Sequence, residues 1–456
     1  MYDSTQFSFR VTHLIKSVAV IGAGAAGAVT AAALAAEGAF DVIRVFERRG
    51  EPGGTWIYDS DPEAIKTLQP GKLPPEIDPP LAFPSHLPHI SKPSSQTNVP
   101  DIDMSFSDQP FPYGTFVPHW IPRQYIGDYF ATHRVDKCLV LNTTVEDVTR
   151  AYTKVDTSRE VWRLTLRRFD ASRQVDVWWK EEFDALIIAN GHYSVPFIPQ
   201  VPGLEPYMVK FPNRVSHSRS YRSPELYTNK RVLVIGNSAS GKDITTELVH
   251  SGIVKLPVYQ SRRSRSRWDG NEPPEGVAWK PVIVEYDKIA GDIIFQDDPR
   301  LRSTEIDAVI YCTGYKPSFP FWNSKVNGGQ LFDYSTGTLI NSYQHTFSRK
   351  FPDSLGIFGF PRVLTFRSFE YQAVALARLF AGRNATPLPP LKEQENWEKQ
   401  RAELVRKENR KFPDIPWDND ETMDWLRFLF QLSGLPLLEG YGRCPPVLGE
   451  KTRWAM

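Results

Sequence analysis

Two glycine-rich turns set far apart in the chain restrict its fold more than any other feature. The first is Gly22-Ala23-Gly24-Ala25-Ala26-Gly27 and the second is Gly236-Asn237-Ser238-Ala239-Ser240-Gly241. Each follows an apolar run that reads as a buried strand, Ser17–Ile21 and Arg231–Ile235, and each opens a segment that reads as a helix. In such a turn the first glycine permits a tight bend, the second lets backbone approach a pyrophosphate, and the third lets the helix pack closely on the strand. The free amides of the helix start, with the positive end of its dipole, then hold the phosphate. One turn of this kind indicates one dinucleotide. Two indicate two, and a protein that holds two redox dinucleotides moves electrons between them.

The residues beyond each turn differ. After Gly27 the helix is built almost wholly of alanine, and the next strand, Val42–Phe46, ends at Glu47. A carboxylate there accepts bonds from ribose hydroxyls and repels a 2′-phosphate, so the first site suits FAD or NAD. In the second turn Ser238 replaces the middle glycine; its small side chain leaves room for a cofactor and adds a phosphate contact. After the short strand Leu256–Gln260 come Arg262, Arg263 and Arg265. Arginines at this place suit a 2′-phosphate, which accepts forked guanidinium bonds, so the second site reads as NADPH, with Arg262 the first choice of ligand and Arg263 the second. A solvated basic loop is the plainer alternative.

At 456 residues the chain exceeds what one core usually supports, and 41% hydrophobic residues suffice for two. The expected class is α/β, with two Rossmann-like domains. Asp184–Gly191 and Glu305–Tyr315 share a strand-then-glycine pattern, and the second turn falls between them. That nesting reads as a smaller domain inserted between two strands of a larger one. Residues 61–100 are proline-dense and read as a long surface loop. A net charge of +1 offers no pull toward nucleic acid or anionic lipid. Three cysteines, Cys138, Cys312 and Cys444, form no CxxC pair. That argues against a disulfide scaffold, a metal site and a redox dithiol, and fits a cytoplasmic protein. The apolar stretch Val18–Ala36 reads as strand, turn and helix, and Trp425–Leu432 as an amphipathic helix; neither reads as a membrane anchor.

Several segments resemble the flavin-containing monooxygenases, especially their yeast and fungal members. Glu51-Pro-Gly53-Gly54-Thr55-Trp56 follows the ribose acid as in that family. Phe211-Pro-Asn213-Arg-Val-Ser-His217-Ser-Arg-Ser-Tyr221 matches the family pattern FxGxxxHxxx(Y/F) except at Asn213, which tolerates left-handed backbone. Thr97-Asn98-Val-Pro100, Pro122-Arg123-Gln124-Tyr125, Asn190-Gly191-His192, Cys312-Thr313-Gly314-Tyr315 and Phe369–Ala373 follow in the family's order. The resemblance implies FAD at the first site, in a domain of residues 1–208 and 326–456, and NADPH at the second, in residues 209–325. It implies cofactor contacts from Gly22, Gly24, Ala25, Ala26, Gly27, Glu47, Arg48, Gly54, Thr55, Trp56, Arg123, Val145, Asn190, Gly191 and Gln372. On the second turn it implies them from Gly236, Asn237, Ser238, Ala239, Ser240, Gly241, Arg262, Arg263, Cys312, Thr313 and Gly314.

By the same resemblance NADPH reduces FAD, the reduced flavin takes up oxygen at its 4a carbon as a hydroperoxide, and one oxygen atom passes to a nitrogen or sulfur nucleophile. Asn98 is implied beside the flavin edge where oxygen reacts; on residue type alone it reads as a turn asparagine. His217 is implied as a hinge residue bonding backbone between the domains. The expected partners are oxygen and a small amine-, indole- or thiol-bearing molecule, and oligomeric state is open, a homodimer included. A Baeyer–Villiger type monooxygenase shares both cofactors, but its pattern carries tryptophan where this chain has Tyr221. A reductase acting on disulfides lacks its CxxC here, and a non-catalytic FAD/NADPH redox sensor finds support only in the proline-rich loop.

Overall fold

The computed structural model describes residues 14–58, 68–77, 97, 100–111, 114–153, 158–266, 269–360, 366–416, 420–438, 440–447 and 449–450. Two sheets, the first mostly and the second wholly parallel, carry the two glycine turns. The first has seven strands, in the order Ser342–Tyr343, Phe347–Ser348, Leu355–Ile357, Ala185–Ile188, Ser17–Ile21, Val42–Phe46, Leu139–Val140. Its five strands from Leu355–Ile357 onward run parallel, and the first two turn back antiparallel.

Alternation along Ser17–Ile21 sends side chains to opposite faces of the sheet. Val18 and Val20 face a helical layer: the alanine-rich helix Ala25–Glu37, the helix Phe366–Phe380 and the tail helix Glu421–Ser433. Ala19 and Ile21 face Val145, Trp162, Leu164 and Phe183 from an antiparallel meander, Thr144–Tyr152, Glu160–Asp170 and Val175–Phe183. Small side chains let Ala25–Glu37 sit tight on the strands, with Ala28 and Ala31 fully buried. The helix stops at Gly38, whose φ of 59° is the left-handed cap that glycine adopts without strain.

The second sheet is wholly parallel, in the order Val277–Lys280, Lys255–Ser261, Arg231–Ile235, Ala308–Tyr311, Val215–His217. Val232 and Val234 pack on Ile244 and Leu248 of the helix Ala239–His250, while Leu233 packs on Tyr286, Ile293 and Val309. Ala308–Tyr311, which the nesting reads as a strand of the larger domain and the bounds 209–325 place in the smaller one, pairs with Arg231–Ile235 in the second sheet. A buried parallel strand ending in glycine reads the same in either sheet. Among the parallel strands of the first sheet, Ala185–Ile188 precedes the second turn and Leu355–Ile357 follows it, and the two are paired to each other. Where the chain passes between the sheets, Val195–Pro196 pairs antiparallel with Tyr315–Lys316.

Most of the proline-rich stretch lies outside the described residues. Its described part does form an element, the short helix Pro74–Ile77, and the Gly71 amide donates to the Ile198 carbonyl at 2.9 Å. Leu68 packs against the core of the second sheet. The tail helix Glu421–Ser433 buries Trp425, Leu426 and Leu429, as its amphipathic pattern requires. No helix among the described residues is long and apolar enough to cross a membrane.

Candidate active site

The first glycine turn opens on a cavity of about 290 Å³ that is continuous with solvent. Its floor is backbone. Gly22 has φ +106°, and a Cβ there would stand 2.5 Å from the Ala189 carbonyl oxygen. Gly53 donates its amide to the Ala23 carbonyl at 3.0 Å, which folds the Gly53–Trp56 run onto the turn. The two backbones then meet so closely that a Cβ on Gly54 would lie 2.9 Å from the Gly24 Cα. The helix Ala25–Glu37 starts without a side-chain cap, so its first amides face the cradle. Bare amides around a glycine-lined channel are what an extended pyrophosphate needs.

Glu47 lines the cavity and is 5% exposed. Its carboxylate accepts the Ala23 amide at 3.0 Å on one oxygen and the Arg49 amide at 3.1 Å on the other. The acid is thereby pinned to the turn at the place where a ribose lies in such folds. Arg48, Arg49 and Arg219 also face the cavity. Burial pushes the Arg49 guanidinium down to about 9, with nearby Glu47 working the other way. The lining is also aromatic: Trp56, Phe321, Phe358, Phe366 and Phe369. Cationic side chains, glycine backbone and flat aromatic side chains in one lining fit a flavin dinucleotide.

Of the residues named from sequence, Gly22, Gly24, Ala25, Ala26, Glu47, Arg48, Gly54, Thr55, Trp56, Val145, Asn190 and Gly191 line this cavity. Gly27 stands behind it, where a Cβ would fall 1.9 Å from the Gly22 carbonyl oxygen. Arg123 and Gln372 do not line it. Arg123 makes a surface pair with Glu51 at 2.8 Å. Gln372 is buried on the helix Phe366–Phe380, where its amide donates to the Thr346 hydroxyl at 2.8 Å and the Phe360 carbonyl at 3.2 Å. Asn98 lies outside the described residues. Arg49, Arg219, Ser318, Phe358, Phe366 and Phe369 were not anticipated. Arg49 had a local signal, its place two residues after Glu47, and Arg219 and Phe369 lie within segments that carry the family resemblance.

The second turn lies outside this cavity. Gly236 has φ +113°, and a Cβ there would meet the Cys312 carbonyl oxygen at 2.6 Å; one on Gly241 would meet the Gly236 carbonyl oxygen at 2.1 Å. Ser238 caps the helix Ala239–His250 by position, and its side chain makes no capping bond. Arg262 stacks over the Trp279 ring at 3.3 Å and Arg263 is exposed. Thr313 bonds the Phe197 carbonyl, and the Gly314 carbonyl accepts from Phe197 N–H at 2.9 Å.

Asn213 adopts φ 65°, the left-handed geometry expected of it. His217 is fully buried; its Nδ1 accepts the Arg219 amide at 3.1 Å and its Nε2 reaches the Gly314 carbonyl at 3.1 Å. Accepting at Nδ1 makes Nε2 the protonated nitrogen, so the ring is neutral and ties the second sheet to the crossing segment. Burial lowers its pKa to about 4, with the Gly314 bond partly opposing. A depressed histidine contributes stability that is complete above its unfolded value of 6.5 and is lost as pH falls toward 4. His217 should account for about 3 kcal/mol of the loss that thermal melts show between these limits, buried His345 adding its own, and His217→Gln, which keeps a donor toward Gly314, should reduce the loss by that share.

Comparison with known proteins places these features. The model of the flavin-binding monooxygenase-like family matches residues 90–266, and that of the NAD(P)-binding Rossmann-like domain matches residues 20–70. The chain is 30% identical over 437 residues to the flavin-containing monooxygenase iboF of Amanita muscaria (strain Koide BX008), covering 83% of this chain and 80% of that protein. It is 30% identical over 388 residues to the flavin-containing monooxygenase FMO GS-OX5 of Arabidopsis thaliana, covering 81% and 75%. Among solved structures it is similar to the S-allyl-L-cysteine S-oxygenase of Allium sativum, with TM-score 0.72, 25% identity, and coverage of 92% of this chain and 88% of that one. Cyclohexanone monooxygenase shares the fold at TM-score 0.52 and 14% identity. A flavin-dinucleotide cradle, a second dinucleotide turn and relatives matched over most of their length lead to one conclusion: the chain belongs to the flavin-containing monooxygenase family and is an FAD- and NADPH-dependent monooxygenase that acts on a small molecule with molecular oxygen.

Proposed function

We propose that this enzyme oxygenates a soft nucleophile, sulfur or nitrogen, on a small metabolite, and that the residues described above divide the work as follows. Gly22, Gly24, Gly54 and the amides after Gly24 hold the FAD pyrophosphate, and Glu47 holds its ribose. Phe358, Phe366 and Phe369 cover the flavin and keep water from it. Arg262 and the turn Gly236–Gly241 hold NADPH. The domains divide as 1–208 with 326–456, and 209–325, although Leu204 and Tyr207 already pack into the core of the second sheet. The observation that carries the reading is the contact between the Gly24 and Gly54 backbones beside a buried Glu47.

Bound FAD supplies the activation of oxygen at the expense of NADPH; the chain binds, orients and shields. Sulfur is favoured by the likeness to an S-allyl-L-cysteine S-oxygenase. We place Asn98 at the reacting edge on family resemblance; next to it Thr97 is buried and tied to Val117 through both backbone and hydroxyl, which anchors that loop. We propose a cytoplasmic location from the cysteine usage, and leave a homodimer as the assembly to test.

Purified holoenzyme should be given NADPH, isotopically labelled oxygen and, separately, a thioether, a tertiary amine and a ketone. The expected products are the sulfoxide or N-oxide with one labelled atom. An ester formed from the ketone would overturn the choice of nucleophile. In Asn98→Ala the same assay should show FAD retained and NADPH consumed, but product per NADPH down about tenfold and hydrogen peroxide in its place, as for loss of one strong hydrogen bond. Unchanged coupling would remove Asn98 from the site.

A further inference from the structure

Beside the second turn, three donors converge on a single oxygen of Asp269. They are the Ser266 amide at 2.9 Å, the Asn237 side-chain amide at 2.7 Å and the Arg262 guanidinium at 3.2 Å. The Asp269 side chain is 9% exposed. Burial alone would raise its carboxyl, but these bonds outweigh burial and hold it below the usual carboxylate range, so it is ionised at neutral pH. Arg262 is fixed on two sides: one edge on this carboxylate and one face on Trp279.

In a Rossmann-like unit a carboxylate after the second strand takes the ribose 2′-hydroxyl, whereas an arginine there takes a 2′-phosphate. Here the two groups occupy the same spot, bonded to each other. The guanidinium and the Asn237 amide that would meet a 2′-phosphate already hold an anion, and that anion belongs to the chain itself. We propose that Asp269 is a specificity-determining residue of the nicotinamide site: it competes with the 2′-phosphate for Arg262 and Asn237, repels it, and so holds down the preference for NADPH over NADH. The inference rests on reading Arg262 as the 2′-phosphate ligand.

Calorimetric titration of the purified holoenzyme with 2′,5′-ADP, which carries the 2′-phosphate, and with 5′-AMP, which does not, tests both steps. Arg262→Ala should weaken 2′,5′-ADP about tenfold and leave 5′-AMP nearly unchanged. Asp269→Asn should raise the affinity ratio of 2′,5′-ADP over 5′-AMP about fivefold, the order expected from removing one like charge near a phosphate at the surface. Asp269→Ser, which also lacks the charge and differs in size, should move it the same way, and the KM ratio of NADH to NADPH should follow. If Arg262→Ala is selective but both Asp269 variants leave the ratio unchanged or lower it, Asp269 is only a strut for Arg262 and the inference fails alone. If Arg262→Ala weakens both ligands equally, the inference and the reading beneath it fail together.

Discussion

Gly27→Ala should yield protein without bound flavin: colourless, with the visible flavin absorbance gone and unfolding at lower denaturant. The added Cβ would sit 1.9 Å from the Gly22 carbonyl oxygen and 3.0 Å from its carbon. Both are backbone atoms of the turn, so no side chain can swing aside. Relief requires the helix Ala25–Glu37 to lift from the strand beneath it, which opens the packing of Ala28 and Ala31 and drags the cradle amides out of line. Overpacking of this kind costs about 3 kcal/mol. Gly127→Ala is the control. Gly127 lies within the helix Trp120–Thr132, and a Cβ there meets nothing within 4 Å. That variant should keep its flavin and gain about 0.5 kcal/mol. A yellow, normally stable Gly27→Ala protein would show that helix and strand are not packed as described.

Arg378→Ala should be the most damaging change outside the cavity. Arg378 and Glu37 form an ion pair at 2.6 Å, each with a side chain 1% exposed. The same guanidinium donates to the Leu435 carbonyl at 2.7 Å and the Arg443 carbonyl at 3.1 Å. One side chain thus joins the end of the dinucleotide helix, the helix Phe366–Phe380 and the C-terminal tail. Its removal leaves Glu37 buried beside Arg383 alone, at 3.4 Å. Breaking a buried pair from one side costs about 3–5 kcal/mol, whereas replacing both partners by apolar residues costs far less. Denaturant unfolding should therefore show a large loss for Arg378→Ala and a smaller one for the double variant Glu37→Leu with Arg378→Met. Limited proteolysis should cut the single variant beyond residue 433 sooner than the parent. Equal losses in the two variants would mean that the charge left behind is not the cause.

Local chemistry made part of this molecule legible from sequence. Both glycine turns, their strands, the strand leading to Glu47 and the left-handed Asn213 depend on residues within a few positions of one another. The first site's aromatic wall does not. Phe358, Phe366 and Phe369 reach the cavity because the last parallel strand and its helix come back beside Ala185–Ile188, and apart from the family resemblance of Phe369–Ala373 no local pattern marks that return. The same limit leaves Ala308–Tyr311 readable in either sheet, because its neighbours are set by pairing at long range. Arg123 and Gln372 were named through family resemblance; their positions show how little a motif says about where a long polar side chain finds its partner. The carboxylate of Asp269 went unread for a related reason, since a surface-type sequence hides a side chain that three donors have drawn inward.

The short strands at the margins of the first sheet have a bearing on how this protein behaves at high concentration. Leu139–Val140 at one margin and Ser342–Tyr343 at the other are each two residues long. A margin of that length presents too few free amides and carbonyls to template a strand from another molecule. The meander ends on a longer margin, Val175–Phe183, but that strand carries Asp176, Lys180, Glu181 and Glu182. Charges there penalise a second chain laid alongside. Neutralising Lys180, Glu181 and Glu182 together would turn that margin into the place where β-type aggregates of this enzyme begin.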